Sequence, residues 1–249
     1  MAGRLRTGTS GFAYPDWAPR FYPPGARGAA LLPFYGSRLS TVELNNTFYR
    51  QPSPAAVDAW LAATPDDFRF AVKAQRGSSF RALHVDPIAS VEWLTTPIRR
   101  FAGRLGTILF RVPDNAKRDD EGLAGLLGAW PADLPLALEF QDPSWHVDEV
   151  FDAARAAGAA IVTTDLETDP EPPRIRRSGP FLYLRLRRPD YDRPTLEAWL
   201  ARLEPFLADG LDAYVYFRHD EVGRGAELAL ELAALGDAAG FGPSASARP

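Results

Sequence analysis

Eight charged residues stand near the ends of short β-rich runs: Glu43, Lys73, Arg111, Glu139, Asp165, Arg185, Arg187 and Arg218. Three acids against five bases give a local positive excess in a chain of formal net charge −4. A cleft whose sign opposes the rest of the molecule focuses field on an anionic ligand. Glu43 and Glu139 are the candidate catalytic pair, because two carboxylates flanking a bound group can act as general acid and general base. Lys73 is the third catalytic candidate. It can hold an oxyanion, stabilise developing negative charge, or form a Schiff base if desolvation lowers its pKa. The 28 basic residues include only two lysines, Lys73 and Lys117, so a lysine at a strand end stands out. Arg111, Arg185, Arg187 and Arg218 suit bidentate contact with phosphate or carboxylate. Asn45 shares a strand face with Glu43 and joins the ligand-binding set, as does Asp165. The competing reading is a structural network in which Glu43 and Glu139 simply pair with Lys73 or Arg185.

Aromatic residues crowd the loops at the same end: Tyr14, Trp17, Phe21, Tyr22, Phe48, Tyr49 and Trp145. Such rings can stack on a sugar or a base, and Tyr14, Trp17 and Trp145 are the candidates for lining a pocket. A loop core closing the end of the sheet explains about half of them equally well. The string Gly8-Thr-Ser-Gly11 after the first run can present backbone N–H groups, or form a plain tight turn. No metal or other cofactor is expected. The three histidines, His84, His146 and His219, have no i,i+4 pair, and the five bases oppose a cation beside Glu43, Glu139 and Asp165.

The elements that must position these residues alternate regularly. Eight β-rich runs are read at Leu5–Ser10, Thr41–Asn45, Phe68–Lys73, Thr107–Val112, Leu136–Gln141, Ala160–Asp165, Phe181–Arg187 and Ala213–Arg218. Between and after them lie helical stretches at Ala29–Ser37, Pro54–Ala63, Pro87–Phe101, Glu121–Ala129, Val147–Ala157, Thr195–Ala208 and Gly225–Ala234. In the sixth, Leu196, Trp199, Leu200, Leu203 and Leu207 form one apolar stripe. Strand side chains alternate between faces. Val42 and Leu44 oppose Thr41, Glu43 and Asn45; Leu182, Leu184 and Leu186 oppose Phe181, Tyr183, Arg185 and Arg187. The apolar set is predicted to pack on helices and the other set to point inward, its polar members at the C-terminal end. The fold class is therefore α/β, a single TIM-barrel-like (β/α)8 domain over residues 1–239, with 240–249 a disordered tail. An open doubly wound sheet is the runner-up.

Composition narrows the classes. With 46% hydrophobic and 24% charged residues the chain is globular. Lacking cysteine, it excludes disulfides, thiolate zinc sites and Fe–S clusters. No apolar run nears the ~18 residues of a membrane helix, and the opening MAGRLRTGTS is no signal peptide. A cytoplasmic protein with no membrane partner is expected.

Several strings resemble a known family. Gly8-Thr-Ser-Gly11-Phe-Ala-Tyr14-Pro-Asp-Trp17 followed by Phe21-Tyr22-Pro23, then Thr41-Val-Glu43-Leu-Asn45-Asn-Thr47-Phe48-Tyr49-Arg50, are similar to motifs of the YecE-like proteins, domain-of-unknown-function family seventy-two. Phe68–Ala74, Leu138–Trp145 and Tyr214–Phe217 fit further motifs in the same order, so the resemblance runs from about Arg4 to Leu235. It implies a TIM-barrel-like fold and no established reaction. The chain departs from the family pattern at Gly77-Ser78-Ser79-Phe80, at Arg111 where Gln is usual, and at Gln141 where Arg is usual. It departs again at Arg187-Arg188 in place of His-Gly, and at Arg218-His219-Asp220 in place of a run into Asn. Two family histidine positions are thereby lost. The member is divergent, and catalysis through histidine is not expected.

Two functional readings follow. In the first, a small phosphorylated or carboxylated ligand binds at the C-terminal rim, with hydrolase, lyase or isomerase chemistry open. In the second, the protein is a non-catalytic binding module for nucleic-acid ends or phosphorylated metabolites. Net charge −4 disfavours broad nucleic-acid binding.

Overall fold

Strands and helices alternate over much of the computed structural model, which describes residues 1–243; two helices, Arg76–His84 and Pro87–Ile98, follow each other directly, and no helix separates the sixth to eighth strands. The strands are β1 (Leu5–Thr9), β2 (Thr41–Leu44), β3 (Arg69–Lys73), β4 (Leu105–Val112), β5 (Leu136–Phe140), β6 (Ala160–Ile161), β7 (Thr163–Asp165), β8 (Phe181–Leu186) and β9 (Asp212–Phe217). The helices are α1 (Leu31–Arg38), α2 (Pro54–Ala62), α3 (Arg76–His84), α4 (Pro87–Ile98), α5 (Asp120–Ala129), α6 (Asp148–Ala156), α7 (Arg193–Ala208) and α8 (Arg224–Ala238). Helix starts follow local chemistry. The side chains of Ser53, Asp86, Asp119 and Asp192 each accept a backbone N–H three residues on, and Pro54 and Pro87 occupy first positions. The stripe Leu196, Trp199, Leu200, Leu203 and Leu207 is buried on α7.

All strand pairs are parallel, but they form two sheets rather than one continuous ladder: β1-β9-β8-β7 and β2-β3-β4-β5-β6. This corrects the expectation of a single eight-stranded ladder, and each break has a cause. The sixth run splits at Val162: Ala160 and Ile161 pair with β5, whereas Thr163–Asp165 pair with β8. Between β1 and β2 only an isolated bridge joins Ser10 and Glu43. There the phenol of Tyr35 replaces a ladder bond. Ser10 N–H donates to Phe217 of β9 (2.9 Å), so Thr9 N–H faces the other way and donates to the Tyr35 hydroxyl (2.8 Å), which in turn donates to the Thr41 carbonyl (3.1 Å). Gly8 permits this approach, since a Cβ there would lie 2.0 Å from the Thr41 carbonyl oxygen.

The strand faces sort as the alternation predicts. Val42, Phe70, Leu138, Leu184 and Val215 belong to the main core, together with buried helix residues such as Val91, Leu123 and Leu203. Ala71, Leu109, Ala137, Ala160, Tyr183 and Tyr216 form a second, inner cluster drawn from both sheets. The Tyr216 and Thr41 hydroxyls, 2.7 Å apart, link the sheets across it.

Helix α3 was not anticipated. Gly77, Ser78 and Ser79 are weak helix formers, but Gln75 caps the Ser78 N–H (2.8 Å), and Ala82 and Leu83 are buried in the main core. Helix α8 also runs to Ala238, beyond the expected Ala234. Within the expected tail, the Phe241 carbonyl accepts Leu5 N–H (2.7 Å) and its ring packs on the core. Residues 244–249 lie outside the described part. No described helix is long and apolar enough to cross a membrane.

Candidate functional site

Glu43 on β2, Glu139 on β5 and Arg185 on β8 meet in the interior, all buried. Inward parity brings them together from three strands. Arg185 Nη1 donates to both Glu139 oxygens (2.6 and 2.7 Å), and Nη2 donates to Glu43 Oε1 (2.9 Å). Glu43 also accepts the Ser10 hydroxyl (2.9 Å) and the Tyr183 hydroxyl (2.7 Å). Thr164 Oγ1 lies 3.3 Å from Glu139 Oε1. Burial pushes the Glu43 carboxyl up, but Arg185, then Arg187, the Tyr183 hydrogen bond and Lys73, outweigh it and hold the group at about 2. Burial opposes the charge on Arg185, and Glu43 and Glu139 more than restore it. Glu43 is thus a fixed anion in the neutral range. It accepts hydrogen bonds from Arg185, Tyr183 and Ser10.

A shell of cations surrounds this network. Lys73, at the end of β3 and 8% exposed, has its ammonium 4.3 Å from the centre of the Phe48 ring. No described carboxylate lies within ion-pair distance of it. Burial lowers its pKa to about 8, with Arg185 and Arg111 adding to the fall and Glu43 and Glu139 opposing it. The turn Asn46–Phe48 delivers the ring, anchored by Thr47 Oγ1 at 2.7 Å from both the Leu44 and Lys73 carbonyls. Arg187 Nη1 donates to Ser10 Oγ (2.8 Å) and likewise has no carboxylate partner among the described residues. Its pKa is lowered by burial and by Arg185. Arg218 reaches the Arg187 carbonyl (3.4 Å). Arg111 donates to Gln141 Oε1 (2.5 Å), while its Nε, 3.5 Å from Glu139, has no hydrogen-bond partner. Asn45 carries a buried Oδ1 that is also without a partner.

Tyr14 stands against this group. Its hydroxyl donates to the Ser10 carbonyl (3.3 Å), and its ring stacks on His219 at 5.1 Å and 4°. Burial and then Glu43 raise its pKa. Burial, Arg187 and Arg218 lower that of His219.

Three anticipated residues lie elsewhere. Asp165 faces outward, where it accepts Arg188 Nε (3.0 Å to each oxygen) and the Tyr191 hydroxyl (2.8 Å). Parity explains this, because Ala160, Val162 and Thr164 face inward. Trp145 is stacked on outward-facing Phe140 at 4.5 Å and donates to the Ala116 carbonyl, because the turn Pro143–Trp145 folds back over that face. Trp17 is buried in a loop core with Phe21 and Tyr22 and donates to the Asp220 carbonyl (2.7 Å). With Asp165 removed, the site holds two carboxylates, Glu43 and Glu139, against Lys73, Arg111, Arg185, Arg187 and Arg218. Thr164, Tyr183, Ser10 and His219 are the additions; Thr164 and Tyr183 were legible from strand parity alone. A surface groove of about 500 Å³ on α4, bordered by Gln51, Glu92 and Trp93, involves none of these residues.

Comparison with known proteins gives one family throughout. A family model described as protein of unknown function DUF72 matches residues 6–248. The chain is 23% identical to the UPF0759 protein YunF of Bacillus subtilis, over 87% of this chain and 90% of that one. Among solved structures, a DUF72 family protein from Thermotoga maritima is similar at a TM-score of 0.82 and 26% identity, over 94% of this chain and 99% of the other. A DUF72 family protein from Enterococcus faecalis, at 20% identity, shares the fold with a TM-score of 0.76, over 93% and 94% of the two chains.

Proposed function

This chain belongs to the DUF72 family, proteins of unknown function, and from that premise we propose that it binds a small phosphorylated or carboxylated ligand where Lys73, Arg111, Arg187 and Arg218 converge. In this reading the two sheets act as one eight-stranded ring of TIM-barrel type, and the charges share its C-terminal opening. The observation that carries it is the pair Lys73, buried, and Arg187, part-buried, cations with no carboxylate of their own among the described residues. Burying a cation without a counter-ion is unfavourable by several kcal/mol. An anion seated between them removes that cost, which makes the site complementary to an anion rather than to a neutral molecule. Arg111 and Arg218 extend the grip, Asn45 Oδ1 is free to accept a ligand hydroxyl or N–H, and Tyr14 on His219 forms a wall.

Glu43, Arg185 and Glu139 serve here as the frame. Their mutual bonds hold Arg185 in place and set the field around Lys73, which leaves Lys73 as the group whose protonation changes near neutrality. The test is thermal unfolding with inorganic phosphate, pyrophosphate and citrate, against sodium chloride at matched ionic strength. A ligand at a hundredfold excess over its Kd adds about 2.7 kcal/mol, a rise of several degrees for a chain of this length. The rise should be lost in Arg187→Met. No rise with any of the three anions in the wild type, or an undiminished rise in Arg187→Met, overturns the reading.

A further inference from the structure

The chain's two lysines are placed in opposite ways. Lys117 is 78% exposed and bonded to Asp142 at 2.7 Å. Lys73 is buried at a strand end with no carboxylate in reach, its Nζ against the Phe48 ring, and Arg111 and Arg185 acting on it electrostatically. An ammonium placed only to complete an ion pair would have its carboxylate. Here Arg185 lies between Lys73 and that role, because it takes up both Glu43 and Glu139.

We propose that Lys73 is a Schiff-base lysine and that the ligand is a carbonyl compound bearing a carboxylate or phosphate, a 2-oxo acid or a phosphorylated aldehyde or ketone. The proposal rests on the anion-binding reading, since Arg187 and Arg111 must hold the anionic end to bring the carbonyl carbon to Nζ. The step needs no further reagent. The Lys73 nitrogen lone pair attacks the carbonyl carbon, the C–O bonds break in turn, both amine hydrogens leave with the oxygen as water, and a C=N bond remains. Burial and neighbouring arginines supply the amine: with a pKa of about 8, roughly a quarter of Lys73 is neutral at pH 7.5, against about one in a thousand for an ordinary lysine. The imine so formed can carry its proton, and this iminium sits within the field of Glu43 and Glu139.

Borohydride trapping tests this on the intact protein. Wild type is incubated with glyoxylate, pyruvate or glycolaldehyde phosphate, reduced, and read by intact mass and peptide mapping. The expected result is a reduced adduct on Lys73, mapped separately from that on the N-terminal amine and exceeding that on Lys117 by about tenfold or more. The yield should rise with pH through about 8 and fall when inorganic phosphate competes. Lys73→Arg, checked for an unchanged melting temperature, should show no adduct above the Lys117 level. If the adduct forms equally on Lys117, or if none forms with any probe while phosphate still raises the wild-type melting temperature, the Schiff-base assignment is wrong and anion binding stands. If neither phosphate nor any probe has an effect, both fall together.

Discussion

At the residue scale, the central fact is that Glu43 and Glu139 are engaged and Lys73 is not. Arg185 spans both carboxylates, so replacing either leaves a buried guanidinium short of charge. Glu43→Gln is expected to destabilise by about 3–5 kcal/mol, read by urea unfolding at pH 7. The same carboxylate gives an acid-side signature. Its folded pKa lies below the unfolded value, so its contribution is complete above roughly pH 4.5 and is lost as pH falls toward about 2. Stability curves of wild type and Glu43→Gln should therefore converge as pH falls from about 4.5 toward about 2. Lys73 gives a second limb of the same slope on the alkaline side. Its folded pKa is also depressed, but the form disfavoured by burial is the protonated one, so stability should rise as pH climbs from about 8 through 10.5. Lys73→Met should flatten that limb in thermal unfolding. Asp165→Asn is the contrasting case: it weakens the outward pair with Arg188 and the bond from Tyr191, lowering stability while leaving the phosphate-induced shift intact.

At the scale of elements, the seam between β1 and β2 is the informative place. Three features make it: Gly8 without a side chain, the bridge of Ser10 with Glu43, and the Tyr35 hydroxyl standing in for a ladder bond. Tyr35→Phe leaves Thr9 N–H without its acceptor and Thr41 short of a donor, at a cost of about 1–3 kcal/mol. The Thr9 amide is expected to exchange with solvent faster than its neighbours in β1. Gly8→Ala forces a methyl group into the Thr41 carbonyl and should cost more than Tyr35→Phe in the same urea titration. Since Ser10 also bonds Glu43 and Arg187, opening this seam would disturb the site from beneath.

At the scale of the whole molecule, the sign of the site opposes the sign of the chain. A net charge of −4 repels an extended polyanion, whereas on the proposed reading the five cations at the strand ends, set against Glu43 and Glu139, attract a compact one. Phosphate-sized ligands are thus expected to bind with a shallow dependence on salt, and a duplex oligonucleotide should not compete for the site at equal phosphate concentration. Filter binding or gel shift between 50 and 200 mM salt checks this, because multiple backbone contacts would make affinity collapse over that range.

Strand and helix order apart from α3, the division of strands such as β2 and β8 into an apolar and a polar face, and the gathering of Glu43, Lys73, Glu139 and Arg185 at one end were legible in the residues. Each depends on local periodicity or on which side chains tolerate a helix-covered face. Parity would have placed Thr164 inward and Asp165 outward, since Ala160 already declares the face. Other features depend on residues far apart in the chain: the split at Val162, the phenol in the β1–β2 seam, Phe48 over Lys73, and the turn that hides Trp145. Which carboxylate pairs with which cation was likewise decided only in three dimensions. Pairing is a competition settled by distance and burial, and Arg185 prevails because, among the described residues, it alone reaches Glu43 and Glu139 together.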